Sequence, residues 1–253
     1  MNTLLQAVQV TKRFAGITAL NEVSLDVAPG EFVGLIGPNG AGKTTLFNCL
    51  SGLTRFDSGS ISFDGVDLSG VAVHQRARLG IARTFQRMEL FTGMTVRQHL
   101  LVTDRAHSRS GAMWKDILTG SKARRDELQR VDELLDFLDL GADADRDVAA
   151  LSLGRGRIVE LARALMTQPK LLLLDEPSSG LDISETEVVI ERLHEVNRER
   201  GVAILLVEHD VEMVRSLATR VFVLDFGTRI ASGTTAEVFG DANVQRAYLG
   251  GVS

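Results

Sequence analysis

Apolar positions along this chain follow two rhythms. Leu4–Val10 and Thr18–Val27 are rich in Val and Leu with partial period-two alternation, and they predict strands. Ala28-Pro29-Gly30 is a turn, and the unbroken apolar run Phe32–Ile36 predicts a short strand buried on both faces. After Gly37–Gly42 the spacing changes to 3.6. Leu46, Phe47 and Leu50 share one helical face, and Gly52 stands where a C-cap glycine belongs. Residues 57–65 read as turn, strand and turn, and Ile81–Phe85 as a strand. Thr95–Val102 and Asp126–Leu140 are predicted helices, the second presenting Leu128, Val131, Leu134, Leu135 and Leu138 on one face. Gly156–Met166, Ser184–Arg200 and Val211–Ala218 are further helices. They are separated by the strands Leu171–Leu174, Val202–Val207 and Arg220–Asp225. Strands alternating with helices predict an α/β fold with a parallel sheet. Residues 86–150 break that alternation and read as a mostly helical insert.

Composition narrows the classes. The 253 residues are 44% hydrophobic and 24% charged, as in an ordinary globular chain, so neither disorder nor a disulfide scaffold fits. Net charge is −5, which disfavours a nucleic-acid partner. Cysteine occurs once, at Cys49, which excludes an intrachain disulfide and suits a reducing compartment. The first residues lack the pattern of a secretory signal, and the longest clean apolar run, Leu171–Leu174, has strand length rather than membrane length. Work at a membrane would require a partner.

Two segments carry chemistry. Gly37-Pro38-Asn39-Gly40-Ala41-Gly42-Lys43-Thr44 fits the eight-position phosphate-loop pattern between a strand and a helix. Backbone N–H groups wrap polyphosphate, glycines allow the close approach, and the helix N-terminus favours anions. Lys43 is placed to reach the β- and γ-phosphates, and the Thr44 hydroxyl to meet Mg²⁺; Thr45 follows in the same helical turn. Downstream, Leu171–Leu174 ends in Asp175 and Glu176. Parallel sheets bind ligands at the carboxyl ends of their strands. Asp175 is therefore expected to hold Mg²⁺ through water, and Glu176 to polarise attacking water as general base.

With these two segments the chain resembles the ATP-binding cassette family, over essentially its whole length. Leu151-Ser152-Leu153-Gly154-Arg155 resembles the family signature, although Arg155 stands where glutamine is usual. Gln86 resembles the Q-loop glutamine, Ser179-Gly180-Leu181-Asp182 the D-loop, His209 the switch histidine, and Phe14 the aromatic that stacks on adenine. The resemblance implies a phosphate-loop nucleoside-triphosphatase fold with an N-terminal antiparallel β subdomain and a helical signature subdomain. It implies one cassette domain, with an ATP-binding core at 1–85 and 151–240, a helical subdomain at 86–150 containing an insert at 104–125, and a tail at 241–253. It also implies two cassettes meeting head to tail. Lys43, Thr44, Gln86, Asp175, Glu176 and His209 would serve one ATP, Gln86 also toward Mg²⁺. Ser152, Leu153, Gly154 and Arg155 of the facing chain would cover that ATP, with Asp182 contacting the other protomer.

Finer matches point to ATPases of branched-chain amino-acid uptake. The resembling features are Arg83-Thr84-Phe85-Gln86, Met94-Thr95-Val96, the insert Asp104–Arg125, Glu208-His209-Asp210 and Arg246-Ala247-Tyr248-Leu249-Gly250. Such a subunit would sit on the cytoplasmic face of the inner membrane, peripheral through two permease subunits docking near 86–96, and would serve a solute-binding protein indirectly. The insert 104–125, with six Lys/Arg against two acids, reads as a solvated loop or a contact with headgroups or membrane subunits. Import of other small amides or carboxylates, lipopolysaccharide-type export, a soluble cassette of translation or repair, and a sensor without turnover remain alternatives.

Overall fold

The computed structural model describes residues 3–84, 90–108, 116–242 and 244–245, with side chains at 108 and 116–124 left aside. The chain opens with β1 (Leu5–Phe14), β2 (Ile17–Val27) and β3 (Phe32–Ile36), followed by α1 (Lys43–Ser51). Then come β4 (Ser58–Phe63), β5 (Val66–Asp67), α2 (Val73–Leu79) and β6 (Ile81–Arg83). The helices α3 (Val96–Ser108) and α4 (Asp116–Phe137) lead through two 3₁₀ turns to α5 (Leu153–Leu165). Strand and helix then alternate through β7 (Leu171–Asp175), α6 (Ile183–Arg200), β8 (Ala203–Val207), α7 (Val211–Leu217) and β9 (Arg220–Asp225). The hairpin partner β10 (Thr228–Thr234) and α8 (Thr235–Gly240) follow.

Two sheets result. β2-β1-β4-β5 is antiparallel. The second sheet runs β10-β9-β3-β8-β7-β6, parallel except for its edge strand β10. Its inner strands are buried on both faces, which explains why their sequences do not alternate. Leu171, Leu173, Leu205, Phe222 and Leu224 face α1 and the antiparallel sheet. Leu172, Leu174, Ile204, Leu206, Val221 and Val223 join the opposite layer, which includes Val189, Leu193, Met213 and Val214 of α6 and α7.

The helices between β6 and β7 depart from expectation in length. The predicted Thr95–Val102 extends to Ser108, and the predicted Asp126–Leu140 starts at Asp116 and ends at Phe137. The expected loop 104–125 is therefore helical at both ends. Asp104 and Arg105 look polar in sequence because they pair with α4, through Arg130 Nη2–Asp104 Oδ2 at 2.6 Å and Arg105 Nε–Glu127 Oε1 at 2.5 Å. The helix expected from Gly156 starts at Leu153, because Ser152 caps it. The short helix α2 and the strand β10 have no apolar run to announce them.

The joint behind the phosphate loop is pinned by a buried cation. Arg76 of α2 donates to the carbonyls of Cys49 and Leu50 at 2.7 and 2.8 Å, capping the C-terminus of α1, and to Leu68 and Val71. Gly52 closes α1 at φ 86°, where a Cβ would lie 2.8 Å from Arg76 Nε. Cys49, buried beside this joint, has its thiol pushed up to about 11 by burial and is an inert packing residue. Arg76→Ala leaves these carbonyls unsatisfied and is expected to cost about 3 kcal/mol in urea unfolding. A loss below about 0.5 kcal/mol, the range of ordinary surface changes, would contradict the assignment.

Candidate active site

The site is assembled by strand register. Val207 of β8 pairs with Leu35 of β3 on one side and Asp175 of β7 on the other. The segments that follow, beginning at Gly37, Glu176 and Glu208, therefore emerge side by side at the carboxyl edge of the sheet. This is the position where such sheets bind ligands.

The loop after β3 requires glycine at defined points. At Gly37 a Cβ would lie 2.1 Å from the Leu224 carbonyl oxygen, and at Gly42, with φ 100°, 2.6 Å from that of Ala19. Gly42 is the N-cap of α1 and offers no side-chain cap, so the first-turn N–H groups of α1 are left for an anion. Pro38, Asn39, Gly40 and Ala41 complete the arch, with Ala41 N–H donating to Pro38 O at 3.2 Å. Lys43 is buried, and its ammonium donates to the carbonyls of Gly37 at 2.7 Å and Pro38 at 3.0 Å. Burial lowers its pKa, against the opposing influence of Glu176 and Asp175. Thr44 is exposed at the start of α1 and Thr45 is half-buried.

Asp175, buried at the end of β7, accepts from Arg83 Nη2 at 2.8 Å. Arg83 also donates to Asn48 Oδ1 of α1 at 2.7 Å. Glu176 takes the left-handed conformation at φ 50°, with its N–H donating to Val207 O at 2.9 Å. Its Oε1 lies 2.7 Å from His209 Nε2. Glu208, nearly fully buried, accepts from Ser178 N–H at 2.9 Å and from His209 N–H at 2.8 Å. Sequence reasoning did not single out Arg83 or Glu208 as site residues. Both were visible only as members of quoted motifs, because their partners are 92 and 30 positions away. Among the described residues no group of three or more His, Cys, Asp or Glu could hold a metal ion.

The signature residues have their polar contacts elsewhere in the chain. Ser152 caps α5, its Oγ accepting from Arg155 N–H at 3.3 Å. Leu153 packs beside Gly180. Gly154 N–H donates to Glu185 Oε1 at 3.0 Å, and a Cβ on Gly154 would meet Glu185 atoms at 2.9 Å. The Arg155 guanidinium turns back to Asp143, Nη2–Oδ2 2.6 Å, and to the carbonyl of Asp139. Asp182 is exposed and caps α6, accepting from Glu185 N–H at 2.8 Å and Ser184 Oγ at 2.7 Å, bonds that hold its carboxyl below the usual range. Phe14, 47% exposed, closes β1 with Lys12 Nζ 5.0 Å from its ring centroid. Gln86 lies outside the described residues, as do Phe85, Met88 and the tail motif at 246–250.

A glycine arch opening a helix, an acidic strand end beside it and a carboxylate–imidazole pair define a nucleoside-triphosphatase of the phosphate-loop class. The ABC transporter family profile matches residues 20–179, and the chain belongs to that family as an ATP-binding, ATP-hydrolysing subunit. It is 40% identical over 240 residues to the high-affinity branched-chain amino acid transport ATP-binding protein LivG of Escherichia coli K12, covering 94% of each chain. It is 36% identical over 249 residues to the corresponding protein BraF of Pseudomonas aeruginosa, covering 98% of each. Among solved structures it is similar to the ADP conformation of an ATP-binding cassette of an ABC transporter. That match has TM-score 0.85 and 27% identity, covering 99% of this chain and 100% of that one.

The Asp143 cluster has a pH signature. Burial alone would raise the Asp143 carboxyl, but hydrogen bonds from Arg155 and Arg146 outweigh it and the net shift is downward. A depressed folded pKa contributes stability that is present above the unfolded pKa and lost as pH falls through the folded one. Asp143→Asn is expected to cost about 1–3 kcal/mol at pH 7 in thermal or urea unfolding, with the deficit shrinking below about pH 4. An equal deficit at both pH values would contradict the ion-pair account.

Proposed function

We propose that this subunit energises uptake of branched-chain or related amino acids through partner permease subunits at the cytoplasmic face of the inner membrane. A solute-binding protein would deliver the cargo. End-to-end similarity to LivG and BraF supports the cargo class. The observation that carries the hydrolytic half is the 2.7 Å contact between Glu176 Oε1 and His209 Nε2 at the ends of adjacent strands.

In this reading ATP lies on the arch 37–45. Lys43 exchanges its two carbonyl partners for β- and γ-phosphate oxygens, and Phe14 offers its exposed face to adenine. Thr44 and Asp175, a hydroxyl and a buried carboxylate, are hard oxygen donors suited to Mg²⁺, and Gln86 is assigned to the same ion. An ion held by these residues would supply neutralisation of the charge that develops on the phosphates. Glu176 accepts the proton of the attacking water as its oxygen bonds to the γ-phosphorus and the bond to ADP breaks. His209 orients Glu176 and the γ-phosphate. Ser152, Leu153, Gly154 and Arg155 of a second cassette, identical or paralogous, close the site from the other side, with Asp182 at the seam.

Permease docking has a receptacle. A groove of about 270 Å³ is lined by Leu53, Val73, Ala77, Arg83, Thr103 and Arg163. Phe91, within the segment 86–96, is 61% exposed and stacked on His99. Among the described residues no helix is long and apolar enough to cross a membrane.

Glu176→Gln is expected to bind ATP as the wild type does and to lose turnover about 100-fold or more, read by equilibrium binding and steady-state hydrolysis. Normal turnover in that variant would falsify the general-base role. For the partner, Leu53→Asp and Val73→Asp should abolish co-purification with permease subunits from solubilised membranes while ATP affinity stays unchanged. Intact assembly in both would remove the groove from the interface, and the wild-type pull-down identifies the cargo-binding protein.

A further inference from the structure

The pairing of β7 with β8 stops where the chemistry begins. Asp175 pairs with Val207, and Glu176 N–H still reaches Val207 O at 2.9 Å. Beyond that, the segments carrying Glu176 and His209 leave the sheet in separate directions. One of them leads into the turn Pro177–Gly180 and the other into α7. A carboxylate that no part of the hydrolytic reading uses bridges them. Glu208 is 3% exposed. Its Oε1 accepts from Ser178 N–H at 2.9 Å and from Ser178 Oγ at 2.5 Å. Its Oε2 accepts from His209 N–H at 2.8 Å and more weakly from Asp210 N–H at 3.3 Å. One oxygen therefore serves each segment.

We infer that Glu208 is a positioning residue for ATP hydrolysis. It continues the alignment of β7 and β8 past the end of their ladder and holds Glu176 and His209 at bonding distance. The inference rests on the proposed roles of Glu176 and His209. The chemistry favours a carboxylate at this position. It carries two acceptor oxygens and no donor, so both segments are satisfied by one side chain. Burial strengthens those bonds and raises the cost of losing either. Glutamine keeps the shape but has one oxygen and one NH₂ group, so it can accept from one segment and must confront the N–H donors of the other. Alanine releases both. Ser178→Ala removes only the hydroxyl bond and leaves the backbone tie in place.

The test compares Glu208→Gln, Glu208→Ala and Ser178→Ala in the full chain by steady-state ATPase kinetics and ATP binding. Glu176→Gln and His209→Ala run in parallel. Misplacing catalytic groups without touching the phosphate arch should lower kcat about tenfold or more in Glu208→Gln and further in Glu208→Ala, with KM for ATP within about twofold. Ser178→Ala should show a smaller fall of the same kind, which tests the bridge even where Glu208→Ala does not fold. Amide hydrogen exchange at Ser178 and His209 should accelerate in the Glu208 variants. Wild-type kcat in all three variants, or a raised KM with kcat kept, overturns the inference. If Glu176→Gln and His209→Ala also keep wild-type turnover, the catalytic pair itself is wrong. If they lose turnover while the Glu208 variants do not, only the positioning role fails.

Discussion

Parallel register is the constraint on which the site depends. Val207 lies between Leu35 and Asp175. A one-residue slip of β8 would turn its buried leucines to the wrong face and displace Glu208 and His209 relative to Glu176. The hydrophobic layers on both faces of the sheet oppose such a slip, since alternate residues of β7, β8 and β9 are committed to opposite layers. Core packing and active-site geometry are thus one specification.

Arg83 extends that specification sideways. Its guanidinium, almost wholly buried, joins Asp175 on β7 to Asn48 on α1, and the same residue lines the groove assigned to the permease. A buried pair of this kind is weak evidence for stability, because desolvation offsets its attraction. Its geometric value is clearer. It fixes the acidic strand end against the helix that opens the phosphate site, and it does so from the wall of the groove where force would be transmitted.

Much of this was legible in the sequence because the signals are local. The glycine arch needs particular backbone dihedrals and close approaches, so residue types at Gly37, Gly42 and Lys43 carry the information themselves. The strands β3, β7 and β8 announce themselves by length and apolarity. Legibility fails where a residue's meaning depends on a distant partner. Arg83 and Glu208 look like ordinary surface charges until the sheet brings Asp175 and Ser178 to them. Asp104 and Arg105 looked like loop residues because their partners on α4 were out of view. Arg155, conspicuous as a departure from the family pattern, faces Asp143 and the end of the preceding helix, a contact that spacing alone does not reveal. The extra length of α3 was hidden for the same reason, since a helix end held by ion pairs needs no apolar stripe.

Lys43 ties the arch to itself. With its ammonium seated on the carbonyls of Gly37 and Pro38, the two ends of the loop are joined by a side chain of the loop's own helix. On the proposed role of Lys43, binding a triphosphate would be a swap of partners at a lysine whose ammonium is already held beside the arch. The affinity that this side chain would contribute in that role is a difference between two satisfied states, smaller than the full strength of either set of bonds.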